Sequence, residues 1–312
     1  DNLVVGTRQG HLLMYAVTET SQGRWDVSLL CSNKNFSRKP ILQVQVVPEH
    51  QIIVSLSDNM ISVHDLTVFN LPLLLSMQQT KGASTFDLDI KHQVTLTGET
   101  VATVRLVVAV KRRLQLYYWK GRRFHTLRED LQVSDVPKSL TWCKEAIAVA
   151  FKHDYWLISL TGEQKELFGT GKSQEALILR LQEEDMLVLG HEKETVIMDS
   201  EGNAKCEHTL KWGDQPVAMA YDKPFLISIL PKSVEIKTPE PNIDVQTMLL
   251  DKPKLIAVAR SRKGTNPVYI ASTSHIWRLH RCQALSHVNE LVKQEKFSLA
   301  LKLLVSVFVL VF

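Results

Sequence analysis

The chain has 312 residues, of which 45% are hydrophobic and 22% are charged, a composition typical of a globular protein with a sizeable core. The formal net charge of +4, with lysine and arginine spread widely, is too small to indicate a nucleic-acid-binding protein. Four cysteines without a C-x-x-C pair disfavour a zinc site or a disulfide framework and predict buried thiols in a reducing cytosol. No signal peptide is visible, and because Asp1 is not an initiator methionine we expect the natural chain to begin upstream.

One short pattern occurs seven times along the chain, as an apolar stretch, a polar turn and a second apolar stretch. The copies occupy residues 4–15, 53–63, 107–117, 147–158, 187–198, 226–236 and 268–278. Equivalent residues from the third copy onward are spaced by 40, 40, 40 and 41 positions, as the sequence shows for Val107, Ile147, Leu187, Ile227 and Val268. A β-hairpin repeated at this period predicts one four-stranded blade per repeat, and therefore an all-β, seven-bladed β-propeller.

Further apolar stretches predict the inner and outer strands that complete the blades. We expect these strands at 25–31, 41–47, 72–77, 84–90, 124–128, 137–143, 164–168, 176–181, 204–210, 216–221, 244–250 and 254–259. The first hairpin lacks an inner strand and the last lacks an outer strand. We therefore expect an N-terminally truncated propeller whose closing strands lie upstream of Asp1.

The periodicity changes from two to about 3.6 residues at Gln283, which predicts helices. One helical face carries Leu285, Val288, Leu291 and Val292, and a second carries Phe297, Ala300, Leu301 and Leu304. This helical hairpin is typical of the first unit of an α-solenoid. The uncharged end of the chain is shorter than the ~20 residues of a membrane-spanning helix. The expected organisation is a propeller over 1–281, the start of a solenoid over 282–304 and an aberrant or truncated tail over 305–312.

Apparent catalytic motifs fail when their spacing is checked. The Gly-Thr-Gly-Lys-Ser stretch ending at Ser173 has Glu166 where a phosphate-binding loop needs its first glycine, and a strand rather than a helix is predicted after it. His191 and Glu192 begin like a zinc-protease motif, but Thr195 replaces the second histidine. No G-x-S-x-G motif occurs. We therefore predict no catalytic residue, no cofactor, no metal site and no small-molecule substrate.

Two basic clusters occupy successive turns of the third blade, one over 111–113 and one over 120–123. Successive turns of a meander alternate between its ends, so the two clusters should emerge on opposite sides. Solvated turns that prevent edge-to-edge association are the favoured interpretation. Contact with anionic lipid or with an acidic partner surface is the alternative.

Several stretches resemble a known family. They are Gln9-Gly10-His11-Leu12-Leu13, Ser32-Asn33-Lys34-Asn35-Phe36-Ser37, Lys81-Gly82-Ala83-Ser84, Asp135-Val136-Pro137-Lys138-Ser139 and Phe151-Lys152-His153-Asp154-Tyr155. Together they are similar to the citron-homology propellers of the Vam-type, vacuolar-protein-sorting-thirty-nine family of HOPS tethering subunits. The resemblance runs from about Leu3 to Leu304. A sister family, the TGF-β-receptor-associated adaptors of the CORVET complex, shares the Lys-Gly-Ala turn but matches the Asn33–Ser37 and Val136–Ser139 segments less well.

The resemblance implies a non-enzymatic subunit that tethers late endosomes and autophagosomes to lysosomes or vacuoles before fusion. It implies a propeller facing a late-endosomal Rab GTPase, a solenoid joining the other HOPS subunits, and peripheral membrane association from the cytoplasm. The alternative is a regulatory docking module of a GTPase-exchange or kinase signalling protein, a class that includes the TGF-β-receptor-associated adaptors.

Partner binding is expected at the turns inside the seven hairpins, because propellers bind through loops while their strands form the scaffold. All seven turns should emerge at one end of the blades. The turn residues are Arg8, Asp58, Arg112, Lys152, Glu192, Lys232 and Ser274. The set is mixed in sign but basic around Arg112 and Lys152, which would suit an acidic rim on the partner and give a salt-sensitive on-rate.

Overall fold

The computed structural model describes residues 2–20, 25–94, 98, 100–170, 176–181, 184–205, 209–259 and 266–279, with the backbone from 284 and the side chains from 288 up to 301. The chain divides into two compact units. The first comprises Asp1–Thr170 with Ser200–Asn203, and the second comprises Gly171–Asp199 with Ala204–Phe312.

The first unit contains the first four antiparallel sheets. The first sheet has β1 (Asn2–Gly6), β2 (Leu12–Glu19) and β3 (Trp25–Asn33), and the second has β4 (Ile41–Val47), β5 (Ile52–Ser57), β6 (Met60–Asp65) and β7 (Leu73–Met77). The third has β8 (Ala83–Val94), β9 (Thr100–Val110), β10 (Arg113–Lys120) and β11 (Arg123–Thr126), with β12 (Leu131–Gln132) also paired to β10. The fourth has β13 (Ser139–Trp142), β14 (Ala146–Ala150), β15 (Asp154–Ser159) and β16 (Gln164–Gly169). Two single turns of 3₁₀ helix lie at Pro48–His50 and Gln78–Thr80.

The second unit contains the remaining three sheets and the helical segment. The fifth sheet has β17 (Ile178–Leu181), β18 (Met186–His191), β19 (Glu194–Asp199) and β20 (Leu210–Lys211). The sixth has β21 (Ala218–Asp222), β22 (Phe225–Ile229), β23 (Ser233–Thr238) and β24 (Ile243–Leu249), and the seventh has β25 (Leu255–Val258), β26 (Val268–Ala271) and β27 (Ile276–Leu279). Helix α1 covers Ala284–Lys293, and residues 297–301 are again helical.

Apart from β12, which pairs with β10, the strands of every sheet pair in chain order, so each sheet is built as a meander and the predicted seven-bladed β-propeller is confirmed. The middle strands β9 and β10 of the third sheet are mostly apolar because neighbouring sheets cover both of their faces. Strand β14 is buried at all five of its residues. Val54 and Val108 share one cluster between the second and third sheets, and Leu116 and Val149 share another between the third and fourth. Within the described residues, the first and seventh sheets have three strands each, as the sequence predicts. In this part of the chain, the first sheet lacks its inner strand and the seventh sheet lacks its outer strand.

Three features differ from the predicted strands. Strand β12, which pairs with β10, is not among the predicted strands. The outer strand of the fifth sheet, expected over 204–210, is reduced to β20 and an isolated bridge between Met198 and Ala204, while 206–208 lie outside the described residues. Strands β8 and β9 pair five residues further than β10 reaches, out to Val94 opposite Thr100. These five pairs extend the hairpin as a two-stranded ribbon about 17 Å long.

A β-bulge interrupts the outer strand of four sheets, and each bulged residue is apolar. The residues without a partner in the register are Leu30, Leu74, Leu167 and Val245. A bulge bends its strand and increases the local twist. Each of these outer strands therefore bends partway along its length, a feature that the sequence pattern did not reveal.

The helical segment packs on the sixth sheet. Val288 and Ala300 are buried against Phe225, with Leu291 beside them, and Glu295 in the connecting turn has a φ of 57°. Of the other predicted apolar residues of this segment, Val292, Phe297 and Leu301 are 43%, 60% and 64% exposed. Leu304, the 305–312 tail, Cys206 and Cys282 lie outside the described residues, whereas Cys31 and Cys143 are buried cysteines outside any disulfide, as expected.

Candidate docking surface

All seven candidate residues lie in turns between the two middle strands of their sheets, and every one of them is exposed. They are Arg8, Asp58, Arg112, Lys152, Glu192, Lys232 and Ser274. The turns are tight for local reasons. Asp58 and Asn59 have φ angles of 52° and 54°, the left-handed pair that a two-residue hairpin needs to match strand twist. Lys111 and Glu192 each have a φ of 54° in the equivalent turns of their sheets.

A repeated backbone hydrogen bond fixes where these turns lie. In six sheets a turn carbonyl accepts a hydrogen bond from the amide of the connector that follows the outer strand. The pairs, amide first, are Ser37–Gly10, Gly82–Asn59, Val133–Arg112, Thr170–His153, Trp212–Lys193 and Leu250–Lys232, at 2.8–3.3 Å. Within each unit, the middle-strand turns and the connectors to the next sheet therefore occupy the same end of the sheets, which we call the turn end.

The connectors bring further lysines to the turn end of the first unit. Lys39 is held beside the second turn because the Ser57 hydroxyl donates to its carbonyl at 3.3 Å. Lys81 precedes Gly82, where an added Cβ would lie 3.6 Å from the side chain of Lys111. Lys138 donates from its amide to Ala150 at 2.8 Å, two residues before Lys152.

These contacts align six exposed cationic side chains across the second, third and fourth sheets. We call this set the basic band. Its members are Lys39, Lys81, Lys111, Arg112, Lys138 and Lys152. Only Arg112 and Lys152 were selected from the sequence as candidate site residues. Lys111 shares the turn of Arg112, and the other three follow from the spatial neighbours of the turns.

The two ends of the first unit differ strongly in charge. The turns and connectors of its turn end are residues 7–11, 34–40, 58–59, 78–82, 111–112, 127–138 and 151–153. They carry ten cations against four carboxylates: Arg8, Lys34, Arg38, Lys39, Lys81, Lys111, Arg112, Arg128, Lys138 and Lys152 against Asp58, Glu129, Asp130 and Asp135. The described turns of its four sheets at the other end carry two cations, Arg122 and Lys144, against Glu49, Glu145 and Glu163, and the flanking strand ends add Lys120 and Arg123. Positive charge is therefore concentrated at the turn end.

Ion pairs at the turn end offset little of this charge. Arg112 lies 4.0 Å from Asp135, with both side chains more than half exposed. Arg113, the first residue of β10, lies 3.2 Å from Asp130. Exposed pairs of this kind contribute about 0–1 kcal/mol and are screened by salt, so they leave both groups available to a partner.

The second basic cluster lies at the other end of β10, as expected. Arg122 forms an ion pair with Asp65 at 2.7 Å. The hydroxyl and amide of Thr67 bond the same carboxylate at 2.5 and 2.8 Å. These bonds, first from the Thr67 hydroxyl and to a smaller extent from Arg122, lower the pKa of Asp65. Six residues of β10, 114–119, separate the two clusters, a length of about 24 Å from Arg113 to Lys120.

The turns of the second unit are mixed in sign. Lys193, beside Glu192, lies 3.3 Å from Asp214. The backbone amide of Gln215, and then Lys193, lower the pKa of Asp214. Ser274 contributes a hydroxyl next to His275. We therefore assign the candidate docking surface to the basic band of the first unit.

The described residues also bear on the rejected motifs. They contain no group of three or more histidine, cysteine, aspartate or glutamate residues that could hold a metal ion. Glu192 lies in a hairpin turn between β18 and β19, and the phosphate-loop-like stretch at 171–175 falls outside the described residues. No helix in the described part of the chain is long and apolar enough to span a membrane.

Comparisons with known proteins agree with this architecture. The family model of the CNH domain matches residues 1–259. The chain is 42% identical to the human Vam6/Vps39-like protein over 96% of its own length and 34% of that protein. It is 26% identical to the Drosophila melanogaster vacuolar protein sorting-associated protein 39 homolog over 97% of the chain and 37% of that protein. The chain thus spans about a third of the length of these relatives.

A third relative and a solved structure add to these matches. A Dictyostelium discoideum GTPase-activating protein is 26% identical over 45% of this chain and 14% of its own length. Among solved structures, the AfRom2 CNH domain superposes with a TM-score of 0.57 at 13% identity, covering 90% of this chain and 96% of that one. At this identity the superposition shows the fold alone.

Proposed function

This chain belongs to the CNH domain family, and we propose that it serves as the protein-docking propeller of a HOPS-type tethering subunit in vacuolar sorting. The identity to vacuolar-sorting relatives from human and fly supports the proposal. The proposed role is non-enzymatic. The chain would act in docking late endosomes and autophagosomes to lysosomes or vacuoles before fusion, as a peripheral protein on the cytoplasmic side of these membranes.

The proposed partner of the basic band is the acidic rim of a late-endosomal Rab GTPase. The observation that carries this assignment is the charge difference between the two ends of the first unit, with ten cations against four carboxylates at the turn end. Complementary charge accelerates association and suppresses wrong partners. Other HOPS subunits would join through the helical segment that begins with α1.

A second candidate is a regulatory docking module of a GTPase-exchange or kinase signalling protein, including the TGF-β-receptor-associated adaptors. The match to a GTPase-activating protein, which is another class of GTPase regulator, favours it. That match covers less than half of the chain, whereas the vacuolar-sorting relatives cover nearly all of it. The tethering role is therefore preferred.

Charge reversal tests the proposed Rab site. In the Arg112→Glu/Lys152→Glu variant, affinity for a GTP-loaded late-endosomal Rab should fall at least about tenfold, mainly through a slower on-rate. The Lys120→Glu/Arg123→Glu variant is the matched control, because both residues are exposed and lie at the other end of β10. Its affinity for the same Rab should stay within about twofold of that of the unmodified chain. The measurement is biolayer interferometry at low and high salt, with GDP-loaded Rab alongside.

Normal binding by the first variant and loss of binding by the control would contradict the assignment to the turn end. Equal binding of a GTP-loaded Rab, a GDP-loaded Rab and an unrelated acidic protein would contradict the Rab assignment itself. Thermal unfolding of both variants checks that the substitutions leave the fold intact.

A further inference from the structure

The outer strand of the first sheet exposes apolar side chains along the edge of that sheet. Val27, Leu29 and Leu30 of β3 are 59%, 54% and 41% exposed. From Val27 to Asn33 the strand has no charged residue. Strand β3 ends its sheet in the strand order, so one side of its backbone is open to pairing within the described residues.

A loop of the second sheet continues this surface. The Cys31 thiol donates to the carbonyl of Phe69 at 3.0 Å, and the Asn33 amide donates to the carbonyl of Asn70 at 3.0 Å. Phe69 is 69% exposed and its neighbour Val68 is 47% exposed. Residues 66–80 contain no charge, so the loop and β3 form one uncharged apolar surface.

Other outer strands carry the features that discourage edge pairing, namely shortness, charge or a neighbouring proline. Strand β7 has five residues and follows Pro72, and β20 has two. Strand β16 contains Lys165 and Glu166, and β24 contains Asp244. Strand β3, at nine residues, is the longest outer strand described, and its one charged residue is Asp26 near its start.

We propose that β3 binds an extended, uncharged, apolar peptide segment of a partner protein as an added β-strand. In this mode the open backbone edge supplies hydrogen bonds, and alternate side chains supply specificity. Val27 and Leu29 lie on the regular part of the strand, before the bulge at Leu30, so they flank the pairing stretch. Phe69 would cover the far end of the bound peptide.

The absence of charge on this surface favours an uncharged peptide over a lipid surface as its partner. Membrane-surface sites combine apolar residues with lysine or arginine that attract anionic headgroups. Neither 27–33 nor 66–80 contains a cation, so the surface matches an uncharged peptide. The basic band at the turn end is a separate surface, and this proposal stands without the Rab assignment.

The probe is a fluorescein-labelled seven-residue peptide of alternating valine and threonine, titrated against the whole chain by fluorescence anisotropy. The same peptide N-methylated at alternate amides keeps its side chains but cannot form a ladder. Unmodified peptide should bind, and the N-methylated form should bind at least about tenfold more weakly. The Val27→Lys/Leu29→Lys variant should weaken binding about tenfold or more.

Leu249→Lys on β24 is the matched control, since Leu249 is 84% exposed on another outer strand. The affinity of this variant for the peptide should stay within about twofold of that of the unmodified chain. The Val27→Thr/Leu29→Thr variant keeps residues that favour β-strands and adds no charge. Like the lysine variant, it should bind the peptide more weakly than the unmodified chain does. No binding by the unmodified chain, equal binding of the N-methylated peptide, or normal binding by both β3 variants would overturn the proposal. If the chain binds no peptide but self-associates, and the β3 variants abolish that association, the occupant is a second copy. If it binds phosphatidylcholine vesicles instead, and the same variants abolish that binding, the occupant is a membrane. Either result would overturn the proposal.

Discussion

The carboxylate of Asp87 on β8 accepts a hydrogen bond from the backbone amide of Trp142 on β13 at 3.0 Å. The hydroxyl of Thr141 bonds the same oxygen at 2.9 Å, and the amide of Gln45 on β4 bonds the other at 3.3 Å. One carboxylate therefore joins the inner strands of the second, third and fourth sheets. Its burial raises the pKa of Asp87, even though the hydrogen bonds act in the opposite direction.

This raised pKa predicts a pH dependence of stability. Because the pKa of Asp87 is higher in the folded than in the unfolded chain, the folded chain binds more protons between the two values. Its contribution to the free energy of unfolding is fully present below the ordinary aspartate pKa and is lost as pH rises through the folded value. Asp87→Asn should remove this contribution, so the stability of the unmodified chain relative to the variant should fall as pH rises. Urea unfolding of both chains across a pH series measures this difference in the free energy of unfolding.

The Asp87→Ala variant serves as the comparison. It leaves the amide of Trp142 without its acceptor, which should cost about 1–3 kcal/mol in addition to the pH-dependent contribution that both variants lose. Identical pH profiles for the unmodified chain and Asp87→Asn would contradict a raised pKa at this position.

Gly10 should tolerate no side chain. Its φ is 82°, and an added Cβ would clash with the backbone carbonyl of Ser37 and lie 2.8 Å from that of Lys39. Gly10→Ala should lower the free energy of unfolding by about 3 kcal/mol, from strain and overpacking together. Gly121→Ala is the control, because its φ is 57° but nothing lies within 4 Å, and it should cost only about 1 kcal/mol. Equal losses for the two variants would show that the close approach at Gly10 is absent.

Removing the acidic group from the middle-strand turns of the first unit should strengthen Rab binding. Asn tolerates the left-handed φ of 52° at position 58, so Asp58→Asn removes one negative charge and keeps the turn. The on-rate should rise about twofold at low salt and converge with the unmodified chain at high salt. Stopped-flow association measures this. A faster on-rate that persists at high salt would mean that charge is not its cause.

Phe225 should anchor the helical segment. It packs against Val288 and Ala300, so Phe225→Ala should increase amide exchange over 284–293 at least about tenfold while β14 stays protected. Phe225→Leu keeps an apolar contact and should have a smaller effect. Unchanged exchange over α1 in the alanine variant would show that the helix is held elsewhere.

The strands and the turns could be predicted from the sequence because their signals are local. Strand β4 matches its predicted range of 41–47, and Asp58 and Lys152 lie in the turns expected for them. Alternation of apolar and polar residues, and the short polar stretches that separate such segments, are set by neighbours a few positions apart. The repeat of about 40 residues then predicted the number of blades.

The candidate docking surface and the contacts between sheets required the tertiary structure. Arg122 meets Asp65 across 57 residues, and Asp87 meets Trp142 across 55. No local pattern encodes such pairs, because a hydrogen bond depends on spatial position and not on sequence separation. Lys39, Lys81 and Lys138 look like ordinary loop lysines in the sequence. They join the turns of β5–β6, β9–β10 and β14–β15 in one basic surface only because each connector is bonded against a turn or strand end of these sheets.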